Sequence, residues 1–380
     1  MELVRKVPRS RQIFGLAVIV ALAAAMVVPA SAMALINYKI SIYRSLTSVY
    51  TSQPMTITGK VSPSTQPKTV YIQYKKSTSL TWKSVKVSVP KSGNYKYTFS
   101  NSSAGKYQIR TKFPTKSKNF YSTTTLVTVK DREKVILAST TSTQDSGLFD
   151  VMVPAFEKAN PRYDLQVVAV GSGAAMTLGQ NKDADVLLVH SPAAEKTFVK
   201  NGYGFGRTAV MHNDFLLVGP TDDAANANIG AAGDIYACFQ KIDSTGAKFV
   251  SRYDNSGTHA KEKELWAGAG FTYTNIAANS YYIKANAGMG DTVRITGEQK
   301  GYTIVDRATW VTNKPSNLIR IQDKDAVLAN PYTVIQVTNA KEADGAAAFA
   351  KWVIGSSAQN LIYNFGYAKY GQHLFWPDAD

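Results

Sequence analysis

The pattern of apolar residues changes at Asp131, and this change constrains the fold more than any other feature of the 380-residue chain. Residues 37–130 consist of short runs in which apolar and polar residues alternate. Beyond Asp131, short apolar runs alternate with longer amphipathic ones. A period of two indicates half-buried strands, whereas alternating strands and helices indicate parallel sheets covered by helices. The sequence therefore predicts two fold classes in one chain.

Residues 35–130 are predicted to form an all-β sandwich. The alternating runs are evenly spaced and are separated by turn-forming Ser, Gly and Asn, which is typical of antiparallel sandwiches. The runs span residues 54–61, 69–76, 82–89, 94–100, 106–113 and 121–130. Trp82 and the Tyr and Val positions are expected in the core, with the lysines on the outer faces. The pattern resembles the immunoglobulin-like modules of bacterial surface proteins.

The first 34 residues have the features of an export signal. A basic start precedes an apolar run over residues 13–28 and two A-x-A cleavage sites, at residues 30–32 and 32–34. The run is long for the apolar part of a signal peptide and slightly short for a full transmembrane span. A retained N-terminal anchor is therefore the alternative to cleavage. No cysteine lies near the cleavage sites, which excludes a lipoprotein. We therefore expect an extracytoplasmic protein, secreted or held at the membrane or cell wall.

Charge is distributed unevenly along the chain. The net charge is +16, yet residues 35–130 hold 16 Lys and Arg residues and no Asp or Glu, and residues 131–380 carry a net −3. A basic segment suggests a polyanion as partner, but an exported protein does not meet nucleic acid. Two interpretations of the basic module stay open. It is either a soluble spacer or a surface that docks onto anionic cell-wall polymers or lipid headgroups.

Residues 131–380 are predicted to form two α/β lobes. Strand-like runs occupy residues 135–139, 165–170 and 185–189, and helix-like runs lie between them. Two helices are expected near the end of the chain. About 250 residues suit two such lobes, with chain crossings near Phe215–Gly219 and Pro331–Val337. A cleft between two lobes is a common place for a small ligand.

A run of hydroxyl residues, Ser139–Thr143, is the first candidate binding element. A strand is predicted to end at about Ala138 and a helix to begin near Asp145. A helix start presents unpaired N–H groups and a partial positive charge. Since a helix cap needs only one such residue, five hydroxyls in a row favour a loop that binds an oxyanion.

Two further strand-to-helix turns carry donors. Gly171 and Gly173 allow close backbone approach, and Ser172 between them can donate. In the second turn, Arg252 offers a fork of donors suited to an oxyanion, and Ser256, Gly257 and Thr258 stand at a predicted helix start. Asp254 could either accept from Arg252 or accept a proton from a protonated anion. Turns of this kind in opposite lobes would clamp a tetrahedral oxyanion.

Six motifs of the second region, in order, resemble the extracytoplasmic tungstate-binding proteins of ABC importers. The motifs are STTSTQDSGL, VGSGAAMTLG, DADVLLVHSPAAE, SRYDNSGTHAKEKELW, GMGDTVRI and YTIVDRATW. The resemblance implies a two-lobed periplasmic-binding-protein-like fold of type II. It also implies tungstate as the ligand, with a membrane permease and its ATPase as partners. The basic module has no part in this resemblance.

The resemblance also implies which residues surround the anion. The family opens with Thr-Thr-Thr-Ser where this chain has Ser139-Thr140-Thr141-Ser142, so a hydroxyl is kept at the changed position. The residues expected around the anion are Ser139, Thr140, Thr141, Ser142, Ser172, Arg252, Ser256, Gly257 and Thr258. Asp254 is expected to contact the ligand or to support Arg252, and the turn at Gly290 and Asp291 could add backbone donors. The Arg-x-Asp-x-Ser-Gly-Thr run also occurs in phosphate-binding proteins, so phosphate is an alternative ligand. Molybdate is another, because it differs very little from tungstate in size and not in charge.

Other classes of function are disfavoured. Asp254, Ser256 and His259 lie too close in sequence for a hydrolase triad, and no G-x-S-x-G motif occurs, so we expect no enzyme. The single Cys238 and the four histidines form no disulfide, CxxC or HExxH pattern, so we expect no metal and no cofactor. A different class is a wall-binding surface protein that acts through the basic module.

Overall fold

The computed structural model describes residues 36–64, 68–223, 227–313 and 315–379. The predicted export segment, residues 1–34, lies outside the described residues. Within these ranges, no helix combines the length and apolarity needed to cross a membrane. The described chain consists of an N-terminal β module and a larger α/β region.

The β module contains ten strands in two sheets, counted over the described residues. The strands are β1 (Lys39–Ile40), β2 (Tyr43–Arg44), β3 (Ser48–Tyr50), β4 (Met55–Ser62), β5 (Lys68–Lys76), β6 (Lys83–Val89), β7 (Asn94–Phe99), β8 (Gly105–Pro114), β9 (Asn119–Tyr121) and β10 (Thr125–Lys130). β1, β2, β4 and β7 form one sheet, and β3, β10, β8, β5, β6 and β9 form the other. Each predicted run contains a strand. The strands of two or three residues were not predicted, because an alternation of apolar and polar residues cannot be recognised over so short a stretch.

A single apolar core lies between the two sheets. Ile57 and Phe99 enter it from the first sheet, and Ile72, Ile109 and Val127 enter it from the second, each at most 1% exposed. The strand pairs are antiparallel as expected, except that β3 pairs with β10 in parallel. The module is therefore a two-sheet sandwich. Its closer likeness to immunoglobulin-like modules stays a prediction.

The predicted core position of Trp82 is wrong. The β5–β6 register pairs Tyr74 with Lys83 on the inner side of the sheet, so the residue before Lys83 points outward. Trp82 accordingly contacts Arg110 and Lys75 on the outer face. An aromatic residue at the end of a hairpin can face either the core or the solvent, and the register of the two strands decides which.

The α/β region begins two residues after the β module ends. Its strands are β11 (Glu133–Thr140), β12 (Tyr163–Val170), β13 (Val186–Val189), β14 (Gly204–Pro220), β15 (Phe249–Ser251), β16 (Tyr282–Lys284), β17 (Thr303–Asp306), β18 (Leu318–Gln322), β19 (Ala329–Val337) and β20 (Trp376–Pro377). Its helices are α1 (Thr141–Asp145), α2 (Leu148–Ala159), α3 (Ser172–Gln180), α4 (Pro192–Lys200), α5 (Ile235–Thr245), α6 (Gly257–Gly268), α7 (Tyr273–Ile276), α8 (Met289–Gln299), α9 (Arg307–Asn313), α10 (Ala343–Val353), α11 (Ser356–Asn364) and α12 (Tyr367–Tyr370). Two short 3₁₀ turns, Ile229–Ala232 and Ala326–Leu328, complete the described elements.

Two strands carry the chain between the lobes. The first part of β14 pairs with β19 in lobe 1, up to Asp214 opposite Ala329. From Phe215 onward, β14 pairs with β17 and β18 in lobe 2. The chain therefore crosses at Asp214–Phe215 and returns at the start of β19, close to the predicted crossings. We define lobe 1 as residues 133–214 and 329–379, and lobe 2 as residues 215–328.

The predicted parallel sheets are only partly present. β12, β11 and β13 are parallel, and so are β15 and β16. β19 runs antiparallel to both β13 and β14, and β14 runs antiparallel to β17. This mixture is a consequence of the crossings, because a chain that leaves a lobe on one strand and returns on its neighbour must reverse direction.

Each lobe has its own aromatic core. In lobe 1, Phe156 packs on Phe349. In lobe 2, Trp266 is fully buried and packs edge-on against Phe239, Phe249 and Phe271. α6, which carries Trp266, therefore has its position fixed by the lobe 2 core.

Replacing Trp266 by Ala should lower the free energy of unfolding by about 3–5 kcal/mol, because the substitution leaves a large cavity among three aromatic rings. Urea unfolding followed by circular dichroism measures the change. Tyr367→Ala, at a side chain that is 51% exposed, is the control and should change stability by less than about 1 kcal/mol. Equal effects of the two substitutions would contradict this description of the core.

Candidate functional site

The hydroxyl run lies where β11 passes directly into α1. The prediction that a helix begins near Asp145 is wrong, because α1 starts at Thr141 with Thr140 as its N-cap. Thr141, Ser142 and Thr143 are therefore the first helical residues, whose backbone N–H groups have no partner within the helix. Hydroxyl and N–H donors thus lie in the same turn.

The hydroxyl groups of this turn do not all share one direction. The Thr140 hydroxyl lies 3.3 Å from that of Ser142 and 2.9 Å from that of Thr143, and all three residues are at most 3% exposed. The Ser139 hydroxyl instead donates to the carbonyl of Leu188 at 2.6 Å, within lobe 1. Thr143, which belonged to the candidate run but not to the residues that the resemblance placed around the anion, joins the cluster, whereas the Ser139 side chain connects β11 to β13.

Arg252 and Asp254 form the charged part of the site. The Arg252 side chain is 5% exposed, and its Nη2 donates to Asp254 Oδ2 at 2.6 Å. Asp254 Oδ1 accepts from the Ser256 backbone N–H at 3.1 Å. Both oxygens of this carboxylate are therefore engaged by its own loop. Of the two roles that the sequence left open for Asp254, this geometry corresponds to support of Arg252.

Two donors beside this pair are buried without a partner. Within the described part of the chain, neither Arg252 Nε nor the Thr258 hydroxyl has a hydrogen-bond partner, although both are inaccessible to solvent. The Ser256 hydroxyl accepts from the His259 N–H at 3.3 Å, which leaves its own hydrogen free to be donated. Buried donors are paired in most proteins, because an unpaired one costs about 1–3 kcal/mol. Donors gathered in this way suit an acceptor-only ligand such as an oxyanion.

The loop that carries Arg252 is held in an unusual backbone conformation. Tyr253 and Asn255 have φ values of 50° and 57°, in the left-handed region that costs ordinary residues about 1–3 kcal/mol. Side chains from both ends hold the loop, since Tyr253 N–H donates to the Ser251 hydroxyl and Asn255 N–H donates to His259 Nδ1. The Arg252 guanidinium is thus carried by a strained loop whose backbone is held by side-chain hydrogen bonds.

A buried polar network lies behind the loop. Glu262 is 2% exposed and accepts from the hydroxyls of Ser251 and Tyr282. Burial raises the pKa of Glu262 to about 7 and lowers that of His259 to about 4. His259 is therefore neutral at pH 7, accepts at Nδ1 and carries its hydrogen on Nε2, next to the Tyr273 hydroxyl at 2.6 Å. His259 is therefore a packed residue that supports the loop.

The lobes contact each other at two of the predicted turns. A methyl group added at Gly171 would lie 3.5 Å from Ser256 Cα, so the lobe 1 turn that contains Ser172 lies against the lobe 2 turn. A methyl group at Gly257 would lie only 2.6 Å from the His190 ring and 3.1 Å from the His190 carbonyl oxygen. Ser172 is 1% exposed and opens α3. The structure thus brings Ser172 together with the start of α6.

Several polar residues near Arg252 were not found by sequence reasoning. Burial raises the pKa of Asp145 and of Asp306, and the charge of Arg252 opposes this rise at both carboxyls. Asp306 Oδ1 accepts from Thr309 N–H at 2.9 Å, whereas Asp306 Oδ2 and the Thr309 hydroxyl have no partner among the described residues. The buried Tyr332 hydroxyl interacts with Ser142 and Thr143. Asp306 and Thr309 lie in the YTIVDRATW motif, so this motif was the signal in the sequence that could have identified them.

The Gly290 and Asp291 turn borders an open part of the cleft. Gly290, Asp291 and Asp145 line an open cavity of about 640 Å³ between the lobes. The Asp291 side chain is 66% exposed and approaches Arg294 at 3.6 Å. This turn is therefore at the solvent side of the cleft. No cluster of His, Cys, Asp and Glu suited to a metal occurs in the part of the chain that the structure describes.

Comparisons with known proteins agree with this architecture. A family model described as a PBP superfamily domain matches residues 116–357. The chain is 45% identical over 250 residues to tungstate-binding protein TupA of Peptoclostridium acidaminophilum, covering 64% of this chain and 86% of the relative. It is 38% identical over 235 residues to tungstate-binding protein TupA of Campylobacter jejuni, covering 59% of this chain and 84% of the relative. Among solved structures, the tungstate-binding protein TupA from Desulfovibrio alaskensis G20 matches with a TM-score of 0.55 at 36% identity, covering 65% of this chain and 99% of that one.

Glu262→Gln should change how stability depends on pH. The folded-state pKa of about 7 lies above the ordinary value, so the folded protein binds the extra proton between about pH 4.5 and pH 7. The contribution of Glu262 to stability is therefore present at low pH and lost as the pH rises to 7. The stability of the wild type minus that of the variant should fall across this range, by on the order of 2 kcal/mol.

Urea unfolding at a series of pH values measures this difference. The buried histidines titrate in the same range, but they are common to both proteins and cancel. Glu264→Gln, two residues away on the same helix and 58% exposed, should show no trend. A flat difference for Glu262→Gln would mean that the carboxyl is ionised in the folded protein throughout.

Proposed function

Because this chain belongs to the tungstate-binding protein family of the periplasmic-binding-protein superfamily, we propose that it captures tungstate between its two lobes and delivers it to a membrane permease. The permease and its ATPase form the rest of an ABC importer, and the ATPase supplies the energy. Lobe closure about the β14 and β19 crossings is the expected motion, since hinge closure around a ligand is usual in this architecture. The protein itself turns nothing over.

The engagement of Asp254 is the observation that carries the choice of ligand. Tungstate is an unprotonated dianion, which accepts hydrogen bonds and is repelled by a free carboxylate. Asp254 directs both oxygens at its own loop, so it offsets the charge of Arg252 without presenting an acceptor. The proposed donors to the anion are the hydroxyl and N–H groups of the α1 turn, Ser172, and the Arg252–Thr258 turn.

Phosphate is the second candidate, on a specific observation. Near pH 7 phosphate carries at least one proton and benefits from an acceptor. Asp306 Oδ2 is buried, has no partner among the described residues and lies within the influence of Arg252. Molybdate has the charge of tungstate and almost its size, so it is the nearest chemical competitor. Titration distinguishes all three ligands.

The parts of the chain outside the lobes are those expected of an exported binding protein. Binding proteins of ABC importers work outside the cytoplasm, and we propose that residues 1–34 are the signal or anchor that exports this one, without a lipid. Residues 35–130 are proposed to be an immunoglobulin-like module that holds the receptor at an anionic cell-wall polymer or membrane surface. No cofactor is needed for capture and release of an anion.

Calorimetric titration of the purified protein with tungstate, molybdate, phosphate and sulfate tests the proposal. We expect tungstate to bind and phosphate and sulfate to be silent. Arg252→Ala should weaken tungstate binding by at least about 100-fold, because charge-assisted hydrogen bonds in a buried site contribute about 1.5–3 kcal/mol each. Arg320→Ala, at a lobe 2 arginine that is 50% exposed, should change binding less than about two-fold.

The same titration can overturn the choice of ligand. Phosphate binding with tungstate silent would make this a phosphate carrier, and Asp306→Asn should then abolish phosphate binding. Silence with all four anions would end the oxyanion-carrier proposal. Thermal unfolding of each variant without ligand shows whether a loss of binding reflects a loss of folding, since a ligand of the folded state alone also raises the melting temperature.

Gly257→Ala should weaken tungstate binding at least about tenfold. The added methyl group would overlap the His190 ring, and because the His190 backbone is also close, rotation of the ring alone cannot make room. The two lobes of the variant would then be further apart at this contact than those of the wild type, and they could not close fully around the anion. Gly288→Ala is the matched control, at another helix start in lobe 2 where an added methyl group meets nothing within 4 Å. Equal tungstate affinity of the two variants would contradict closure at the Gly257–His190 contact.

A further inference from the structure

The outer face of the larger sheet of the β module combines cations with aromatic rings. Five cations and three rings on β5, β6, β8 and β9 and the β5–β6 connection form this surface, which we call the basic face. Its members are Lys75, Lys86, Lys106, Arg110, Lys112, Tyr71, Trp82 and Tyr121. None of these residues belongs to the lobes or to their cleft, so the proposed anion capture does not use them.

Strand register arranges part of the basic face as one alternating row. Tyr71 pairs with Lys86 on one side and with Lys112 on the other, and Lys112 pairs with Tyr121. The row across the sheet is therefore Lys86, Tyr71, Lys112 and Tyr121. Neighbouring strands lie about 4.8 Å apart, so the two lysines of this row are separated by about 10 Å with a ring between them.

Arg110 occupies the centre of the basic face. Its guanidinium lies 4.1 Å from the centre of the Trp82 ring and 4.4 Å from that of Tyr121, and its Nε donates to Gln73 Oε1 at 3.0 Å. Cation–π contacts of this kind fix the orientation of a guanidinium. A fixed, planar fork of donors suits a phosphate group better than a mobile ammonium does.

The basic face has no acidic residue to balance it. Residues 35–130 contain no Asp or Glu, so its five cations repel one another with only solvent ions to screen them. The outer face of the other sheet differs, with Lys39, Lys60 and Lys96 among threonines of β4 and β7. A polyanion laid across the basic face would relieve the repulsion and release the counterions.

We propose that the basic face binds a phosphodiester-linked polyol or sugar polymer of the cell wall. Cations about 10 Å apart pair with successive phosphates, and the flat rings between them pack on the C–H surfaces of the intervening sugar or polyol units. Charge complementarity and the alternation of rings with cations both match such a chain. The proposal deepens the anchoring role proposed above for residues 35–130 and does not depend on tungstate.

A lipid surface is the competing occupant and would use a different residue. Membrane docking relies on apolar side chains that project beyond the cations into the bilayer. Leu80, in the connection between β5 and β6, is 94% exposed and is the most exposed large apolar side chain among the described residues, and Leu126 on the outer side of β10 is 58% exposed. On the basic face itself, Trp82 is covered by Arg110 and Lys75 and does not project. Leu80→Ser therefore separates the two occupants.

The test measures binding of the full-length protein to immobilised poly(ribitol phosphate), in which five carbons separate successive phosphates, at several salt concentrations. Lys86→Gln/Lys112→Gln removes two charges from the basic face, and Lys60→Gln/Lys96→Gln removes two from the other sheet. We expect the first pair to weaken binding at least about tenfold and to reduce the salt dependence, because fewer counterions are released. The control pair should stay within about two-fold of wild type, and Leu80→Ser should bind the polymer like wild type.

Three outcomes would overturn the proposal. Equal losses for the two lysine pairs would show that overall charge, not this face, is responsible. Binding to vesicles of phosphatidylglycerol and phosphatidylcholine but not to the polymer, with loss on Leu80→Ser, would assign the module to membranes. Binding to neither would make it a spacer. Tungstate titration of the same proteins is unaffected in every case, so a failure here is distinguishable from a failure of the proposed function.

Discussion

The buried guanidinium of Arg252 is the interaction on which the rest of the site depends. Taking one charge out of water costs several kcal/mol, and an unpaired buried charge is not tolerated. Asp254 offsets part of this cost, and the loop that brings it to Arg252 has a left-handed residue on either side of Asp254. Ser251, held by Glu262, and the neutral His259 keep the loop in that form. One buried positive charge thus explains a strained loop and a polar network behind it.

The hinge and the site are connected through His190. Its Nδ1 lies 2.8 Å from Asn330 Oδ1, and Asn330 donates to Asn213 Oδ1 at 2.7 Å, so the two crossing strands are joined by their side chains at the point where they cross. Burial lowers the pKa of His190 to about 4, which keeps the ring neutral beside Arg252. The same ring is the surface against which Gly257 packs. Closure therefore brings the donors of α6 onto a rigid, uncharged support.

The two proposed anion sites differ in their physical basis. The cleft contains one guanidinium and many neutral donors, most of them buried, which would suit a single compact dianion that must later be released. The β module spreads exposed cations over the face of a sheet, where each contact would be weak and screened by salt, so that only a long polyanion would gain much from binding. A receptor with both would remain near the cell surface while its cleft opens and closes.

Patterns of residues close together in the chain determined a large part of this protein. The period of two in residues 37–130 indicated the sandwich, the predicted run over residues 106–113 lies within the strand Gly105–Pro114, and the Arg252–Thr258 run indicated an oxyanion site. Only the tertiary structure decided that Asp254 supports Arg252, that Ser139 turns away while Thr143 joins the cluster, and that Trp82 faces outward. The physical reason is that periodicity and helix starts depend on neighbouring residues. The direction of a side chain depends on contacts such as those of His190 with Asn330 and Gly257, which are distant in sequence and adjacent only once both lobes have folded.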